Sequence, residues 1–415
     1  MAQDVRGKPV LDTLLTCLAV LAFLAIVLED AIHVDKAKST LFLGTLSWIL
    51  LFTLGHDHQT VSTAFSENIL DIASLWLFLF AAMTFVAYLN QHGMVEALVY
   101  RLLPANMPQK ALLPFVAVFA FVFSSFCDNI TTTLVTVALI QSLRLPARNN
   151  IKLAVMAVFA INSGGAALIT GDVTTLMIFT SGKVGIGDLF AIIGPGLIAC
   201  LLLATLLMPG FEGQLKLERV VTRASPFDVC VAVIFITTIL LTLLINLVVH
   251  VPPLLVFMFG LSLVFLLARF MSRKESELPI LDYIRKIEFD TLLFFLGILL
   301  VVGMLKEIGT LNAITDLYDA FSPSVANFLI GCISAIIDNV PLTAAVLKSN
   351  LDMPLREWLG FTYSVGVGGS LLAIGSAAGV LMMSKIEGLG FISYLRFTPH
   401  LVVAYSVGYG LILLL

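Results

Sequence analysis

Long apolar runs separated by short polar segments recur along the whole chain. A helix of about 20 apolar residues crosses a hydrocarbon core of about 30 Å. Hydropathy predicts ten such crossings, at residues 10–28, 39–55, 69–89, 151–180, 188–209, 226–249, 253–271, 288–305, 356–384 and 391–414. The pattern therefore predicts an all-α polytopic membrane protein.

Two further apolar stretches, 111–143 and 323–350, are interrupted near their midpoints by polar residues. The interruptions are Cys127-Asp128-Asn129 and Asp338-Asn339-Val340-Pro341. Each arm has only about 14 to 16 residues, which is short for a crossing, so both stretches are predicted to be re-entrant hairpins with polar tips.

A short amphipathic segment precedes each hairpin and is expected to lie in the membrane interface. The apolar positions are Val95, Leu98, Val99 and Leu102 in the first segment, and Leu311, Ile314, Tyr318 and Phe321 in the second.

The second half of the chain repeats features of the first. Asp128-Asn129 corresponds to Asp338-Asn339, and at an offset of 204 residues Gly164-Gly165 corresponds to Gly368-Gly369 and Gly171 to Gly375. Residues 1–210 and 226–415 are predicted to form two repeats, joined by a cytoplasmic linker at 211–225, and each repeat has five crossings, one hairpin and one broken helix (151–180 or 356–384). Because five is odd, the second repeat is inverted in the membrane, as in secondary transporters that work by alternating access.

Composition agrees with a membrane protein and excludes several other classes. Hydrophobic residues make up 59% of the 415 positions and charged residues 12%, about half the charged fraction of an average globular domain. The net charge of −4 is spread over short loops, which argues against a nucleic-acid partner and leaves membrane lipid as the expected surroundings. The five cysteines include no CxxC pair, so neither disulfides nor structural zinc are expected.

The distribution of lysine and arginine predicts the orientation. With the N-terminus outside, 17 of the 23 basic residues face the cytoplasm, and the opposite topology reverses that ratio. Since cytoplasmic loops are enriched in basic residues, the N-terminus and the C-terminus are both predicted to lie outside.

Three carboxylates are predicted at membrane depth: Asp128 and Asp338 at the hairpin tips, and Asp172 inside the broken helix 151–180. A buried acid is costly unless it faces a cavity, a cation or a partner. Glycine-rich breaks beside these acids predict unwound backbone whose carbonyls can hold a cation. A hydrogen-bonded structural role for each acid, and close helix packing at the glycines, remain the alternatives.

Hard oxygen ligands accompany the acids in both halves, and such ligands suit sodium or lithium better than a soft metal. Asp128, Asp172 and Asp338 are the predicted proton- and cation-coupling residues. The candidate cation ligands are Asn129, Thr132, Ser163, Gly164, Thr174, Asn339, Ser370 and Ser376. One sodium site is expected at Asp128, Asn129 and Asp172 and another at Asp338 and Asn339, where Ser376 replaces a second acid; no cofactor is expected.

Four strings in the chain resemble those of the NhaD-type sodium/proton antiporters. This group belongs to the ion transporter superfamily, which also holds arsenite permeases and the dicarboxylate and citrate carriers. The strings are residues 26–30 with 33–38, residues 124–133, residues 162–165 with 171–175, and residues 334–345. The resemblance implies the superfamily fold, a homodimer, and ion sites where a hairpin tip meets a broken helix.

Three functions from different classes remain open, and the leading one is exchange of sodium or lithium for protons across a bacterial plasma (inner) membrane. The second is a permease for an oxyanion such as arsenite, although three acids at the site argue against an anion. The third is an intramembrane protease, but the chain contains neither HExxH nor Gly-x-Ser-x-Gly, so an enzyme is not expected.

Overall fold

The computed structural model describes residues 8–27, 34–55, 58–94, 106–143, 145–216, 225–249, 251–271, 287, 289–310, 312–349 and 351–415. Helices dominate these ranges. In the first half they are α1 Lys8–Val27, α2 Lys36–Leu54, α3 His58–Gln91, α4 Leu112–Phe126, α5 Asn129–Ser142, α6 Ala147–Gly165, α7 Val173–Thr180 and α8 Ile186–Leu207. In the second half they are α9 Pro226–Val249, α10 Pro253–Met271, α11 Phe289–Glu307, α12 Asn312–Ala320, α13 Pro323–Ser334, α14 Asn339–Lys348, α15 Leu355–Gly368, α16 Ala377–Lys385, α17 Phe391–Leu395 and α18 Thr398–Leu413.

Seven helical segments in the described ranges are long and apolar enough to cross a membrane. They are Lys36–Leu54, His58–Leu89, Gln109–Phe126, Ile186–Leu207, Pro226–Asn246, Phe289–Glu307 and Leu355–Met383. Shorter apolar helices of 10–17 residues accompany them. The chain is therefore a multi-pass helical membrane protein, whereas the number of ten crossings stays a prediction.

Helix α3 is longer than hydropathy predicts. The third crossing was expected at 69–89, but the helix begins at His58. The added turns are rich in polar residues, and they are held by packing: Phe65 lies against Trp48 and Phe52, with ring centroids 5.1 and 5.7 Å away. Tertiary contacts extend the helix beyond its apolar segment.

A short strand pair is present that the apolar pattern does not reveal. β1 (Asn106–Pro108) pairs antiparallel with β2 (Gln214–Lys216), so that Asn106 lies opposite Lys216. This pair ties the start of the first predicted hairpin to the predicted linker. Of the two amphipathic segments, the first (95–102) lies outside the described residues, and the second is helix α12 apart from Leu311, which is also outside them.

The chain divides into two compact units. Unit 1 comprises residues 1–80, 288–326 and 340–353, and unit 2 comprises residues 81–287, 327–339 and 354–415. In unit 1, α2 packs closely on α11: a β-carbon at Gly44 would be 2.6 Å from the carbonyl oxygen of Gly297, and Trp48 Nε1 donates to the carbonyl of Leu300 at 2.9 Å.

Unit 2 holds the interruptions that the sequence singles out. Helix α6 ends at Gly165 and α7 begins at Val173. Helix α15 ends at Gly368, a 3₁₀ turn covers Gly369–Leu372, and α16 begins at Ala377. At the tips, α4 ends at Phe126 before α5 begins at Asn129, and α13 ends at Ser334 before α14 begins at Asn339.

Candidate functional site

Asp172 lies where both interrupted segments of unit 2 come together. Its Oδ2 accepts a hydrogen bond from Asn129 Nδ2 at 2.9 Å and another from Asn339 Nδ2 at 3.2 Å. The side chain is buried, with 7% of the Asp172 surface exposed. One carboxylate thus binds the asparagines of both predicted hairpin tips, which are 210 residues apart in the chain.

The local backbone explains why Asp172 is held in this place. Asp172 is the N-cap of α7 in extended conformation, and its Oδ1 accepts from the backbone N–H of Thr174 at 3.0 Å. An N-terminal helix end carries a partial positive charge, so it favours a carboxylate. The eight-residue helix α7 therefore fixes the carboxylate with one oxygen and leaves the other for the tips.

Glycine at position 165 lets the first tip approach. A β-carbon there would lie 2.6 Å from Asn129 Oδ1 and 3.3 Å from the β-carbon of Asp172. Any other residue at 165 would displace the Asn129 amide, since β-carbons do not approach other heavy atoms so closely. The Asn129 amide is also held from the other side, because Ser124 Oγ donates to its Oδ1 at 2.9 Å.

The two tip aspartates are less buried than Asp172. Asp128 is half-buried, and its Oδ1 caps α5 by accepting from the backbone N–H groups of Ile130 and Thr131 at 3.0 and 2.9 Å. Asp338 is also half-buried. The hydrogen bonds to Asp172 Oδ2 come from the asparagine that follows each tip aspartate.

The second break has a serine where the first has Asp172. Ser376 is the N-cap of α16, and its Oγ accepts from the backbone N–H of Gly379 at 3.2 Å. Asn162 Nδ2 donates to the same Oγ at 3.1 Å, which joins the two breaks. The Oδ1 of Asn162 is buried and has no hydrogen-bond partner in the described part of the chain, so an acceptor is available there.

The two breaks make equivalent close contacts with the helices that precede the tips. A β-carbon at Gly164 would overlap the carbonyl oxygen of Phe121, and one at Gly368 would overlap that of Gly331. A β-carbon at Gly171 would likewise overlap the carbonyl of Ser124, and one at Gly375 that of Ser334. Each broken helix therefore meets the arm before its tip in the same way.

The remaining predicted ligands are buried around this centre in different roles. Ser163 Oγ donates to the Phe159 carbonyl at 2.7 Å, and Ser370 Oγ donates to the Val367 carbonyl at 2.6 Å, so both hydroxyls serve their own helices. The Gly164 carbonyl accepts from Ser125 Oγ at 3.0 Å. Thr174 contributes its backbone N–H to Asp172, and the Oγ1 of fully buried Thr132 has no hydrogen-bond partner among the described residues.

Asn162 was not among the predicted ligands although it lies at the junction of the breaks. Its signal in the sequence was a polar side chain directly before the Ser163-Gly164-Gly165 break, inside an otherwise apolar crossing. The string was interpreted as unwound backbone, and the side chain's own contact with Ser376 could be seen only in three dimensions.

Comparison with known proteins gives consistent matches over nearly the whole chain. A family model described as a citrate transporter (CitMHS) matches residues 13–366. The chain is 31% identical to the Na(+)/H(+) antiporter NhaD of Alkalimonas amylolytica, over 94% of this chain and 88% of that protein. It is 32% identical to the NhaD antiporter of Vibrio cholerae serotype O1, over 95% and 90% of the two chains. It is 29% identical to sodium/proton antiporter 1 of Arabidopsis thaliana, over 93% and 69%.

Proposed function

The chain belongs to the citrate-transporter (CitMHS) family of the ion transporter superfamily, and from this membership we propose that it exchanges sodium or lithium for protons by alternating access. The resemblance to NhaD-type antiporters that its motifs indicate is confirmed by the matched relatives. Because the family consists of transporters, the chain is a transporter and not an enzyme.

The observation that carries the proposal is the convergence of two amides on one buried carboxylate. Asp172 accepts from Asn129 and Asn339, and both amides sit at helix ends that frame a break. A carboxylate alone in a membrane is costly, and two N–H donors offset part of that cost while no cation is bound. Replacing these donors by a cation keeps the carboxylate satisfied.

The amides of Asn129 and Asn339 can serve the site both without a cation and with sodium bound. A side-chain amide offers N–H donors on one side and a carbonyl oxygen on the other. In the arrangement described, the donors of Asn129 and Asn339 face Asp172. When sodium binds to the carboxylate, rotation of either amide would present its oxygen to the ion, and hard cations prefer such ligands.

Protons compete with the cation for the same carboxylate. A proton on Asp172 neutralises the charge that attracts sodium, so the two cannot be bound tightly together. Release of the proton on one side of the membrane and of sodium on the other then couples the two flows. We assign Asp172 the central role and propose that Asp128 and Asp338 supply further charge at the tips.

The geometry favours a cation over the oxyanion considered as the second function. Asp172 repels an anion, and the groups that donate to it are amides and one backbone N–H. For an anion to bind at this place, these donors would first have to release the carboxylate of Asp172. Citrate is also an anion and is disfavoured for the same reason, although the matched family model carries that name.

The matched contacts at Gly164 and Gly368 support the predicted inverted repeats. Inverted repeats are the common basis of alternating access, because each half can open the site to one side. We further propose a homodimer in a bacterial plasma membrane, with sodium bound at Asp128, Asn129 and Asp172 and at Asp338 and Asn339, and with both termini outside.

Reconstitution tests the proposed function directly. Purified protein is placed in liposomes containing a pH-sensitive dye, and sodium, lithium, potassium, arsenite or citrate is added outside. Sodium or lithium should move protons in the wild type, and Asp172→Asn should abolish this flux while the protein remains folded in the membrane. A wild type in which only arsenite or citrate, and neither sodium nor lithium, changes the internal pH would refute the proposal, and so would an Asp172→Asn variant with normal turnover and sodium affinity.

A further inference from the structure

A large apolar cleft opens in unit 2, away from the polar site. It has a volume of about 660 Å³ and lies between α4 and α9, next to the end of α3. Its wall on α4 carries Phe115, Phe119 and Phe123, whose rings stack in succession with centroids 6.1 and 5.6 Å apart. The volume is within the range of about 300–1,000 Å³ that holds small ligands in proteins.

The chemistry of the wall excludes an ion as the occupant. The described side chains that line the cleft are aliphatic or aromatic, apart from the thioether of Met94 and the thiol of Cys127. Among the described residues no charged group lines it, and a hydrated cation would lose its water there without gaining ligands. The apolar walls of the cleft suit a hydrocarbon chain.

The cleft is open toward the surface that a membrane protein presents to lipid. Val118 and Val122 on α4 are 42% and 46% exposed, and Ile236 and Leu240 on α9 are 58% and 51% exposed. These four side chains belong to the lining of the cleft. Its rim is thus continuous with the outer apolar surface of both helices.

The length of the cleft matches one leaflet of a bilayer. Along α4 the lining extends from Phe115 to Phe126, which are eleven positions apart, and at about 1.5 Å per residue this is about 17 Å. Half of a hydrocarbon core of about 30 Å is about 15 Å, the depth reached by one acyl chain. Lys110, exposed just before α4, lies at the polar end, and the tip at Cys127-Asp128 lies at the other.

We propose that an acyl chain of a membrane phospholipid occupies this cleft and packs against the last turn of α4. Phe126 and Cys127 line the inner end and immediately precede Asp128. The bound chain thereby contacts the hairpin arm that leads to Asn129. That this contact affects transport rests on the proposed function, whereas the binding itself does not.

Photo-crosslinking tests the binding. The full-length protein is reconstituted with a phospholipid that carries a diazirine in the middle of one acyl chain, irradiated and mapped by peptide mass spectrometry. Ile198 and Leu201 on α8 are 50% and 40% exposed and serve as comparison positions with ordinary lipid contact. Adducts should be at least several-fold more frequent on the cleft residues of α4 and α9 than on these two.

Two variants make the test specific. Val122→Trp fills the cleft and should remove the excess of adducts, and Ile198→Trp, at an equally exposed position, should leave it unchanged. Equal labelling of cleft and comparison residues in the wild type would overturn the proposal, and this result does not depend on how Val122→Trp folds. Crosslinking of Val122→Cys to a second copy in the membrane would also overturn it. Adduct formation does not require transport, so a failure of the proposed antiport leaves this result readable.

Discussion

Asp172 gathers donors from three places in the sequence, namely its own helix and the two tips. A hydrogen bond to a charged group contributes about 1.5–3 kcal/mol, so each amide has a large share in keeping the carboxylate at this place. The amides of Asn129 and Asn339 are therefore as important to the site as the carboxylate of Asp172 itself.

Removal of either amide is expected to weaken sodium binding. In Asn129→Ala and Asn339→Ala, the half-maximal sodium concentration for exchange should rise by roughly tenfold or more, because the amide oxygen that turns toward the bound ion is removed and a charged contact of about 1.5–3 kcal/mol is lost. Gln141→Ala is the matched control, since this α5 amide donates to the carbonyl of Lys385 at 2.9 Å and does not contact Asp172. An unchanged half-maximal concentration in both asparagine variants would contradict the role of the amides.

Asp128 both caps α5 and carries a negative charge, and two substitutions separate these roles. Asparagine caps a helix about as well as aspartate, whereas alanine loses about 0.5–2 kcal/mol. Asp128→Asn should therefore keep the thermal stability of the wild type and lose exchange, and Asp128→Ala should lose both. If Asp128→Asn retained full exchange, the carboxylate would serve only as the cap of α5.

The sequence was sufficient to single out Asp172, Asn129 and Asn339, because each is a polar residue in an apolar context beside a break. It did not reveal that the asparagines rather than Asp128 bond to Asp172. That contact depends on how closely the tip can approach Gly165, and the close approach follows from packing between helices that are far apart in the chain.

The broken helices are shaped by close backbone contact at equivalent glycines. At Gly164 and Gly368 the added β-carbon would overlap a carbonyl oxygen of the neighbouring arm. Glycine is unfavourable inside a helix by about 1 kcal/mol, so its presence at both positions is explained by the packing and not by helix propensity.

Alanine at these two positions is expected to destabilise the protein. Gly164→Ala and Gly368→Ala should both lower the melting temperature in detergent, because a backbone carbonyl cannot move aside as a side chain can. Gly194→Ala in α8 is the control: nothing lies within 4 Å of its added β-carbon, so a gain of up to about 1 kcal/mol is expected there. If Gly164→Ala and Gly368→Ala melted like this control, the close backbone contacts at both breaks would be contradicted, and if only one of them did, the equivalence of the two breaks would be wrong.

Hydropathy located the helices well where an apolar core spans the whole element, as in α8 and α9. Hydropathy failed where other interactions determine the structure. The first turns of α3 are polar and are held by Phe65 packing on Trp48, and β1 and β2 consist of three residues each, too few to produce a pattern. Such elements are determined by contacts that a local window along the sequence does not include.

The orientation of the whole chain is tested by labelling. A cysteine at Thr222, in the predicted linker, should react only with a reagent supplied from the cytoplasmic side. A cysteine at Val251, between α9 and α10, should react only from outside. The endogenous cysteines are replaced by serine or alanine beforehand, and the reverse labelling pattern would refute the predicted inverted orientation.

If sodium and protons compete for Asp172, the affinity of the protein for sodium must depend on pH. The measurement is the half-maximal sodium concentration for proton movement in proteoliposomes over a series of pH values. With one competing proton, this concentration should rise by roughly tenfold for each unit of acidification once the carboxylate is protonated, and fall to a constant value at alkaline pH. A half-maximal concentration that stays the same throughout the series would mean that sodium and protons do not compete for Asp172.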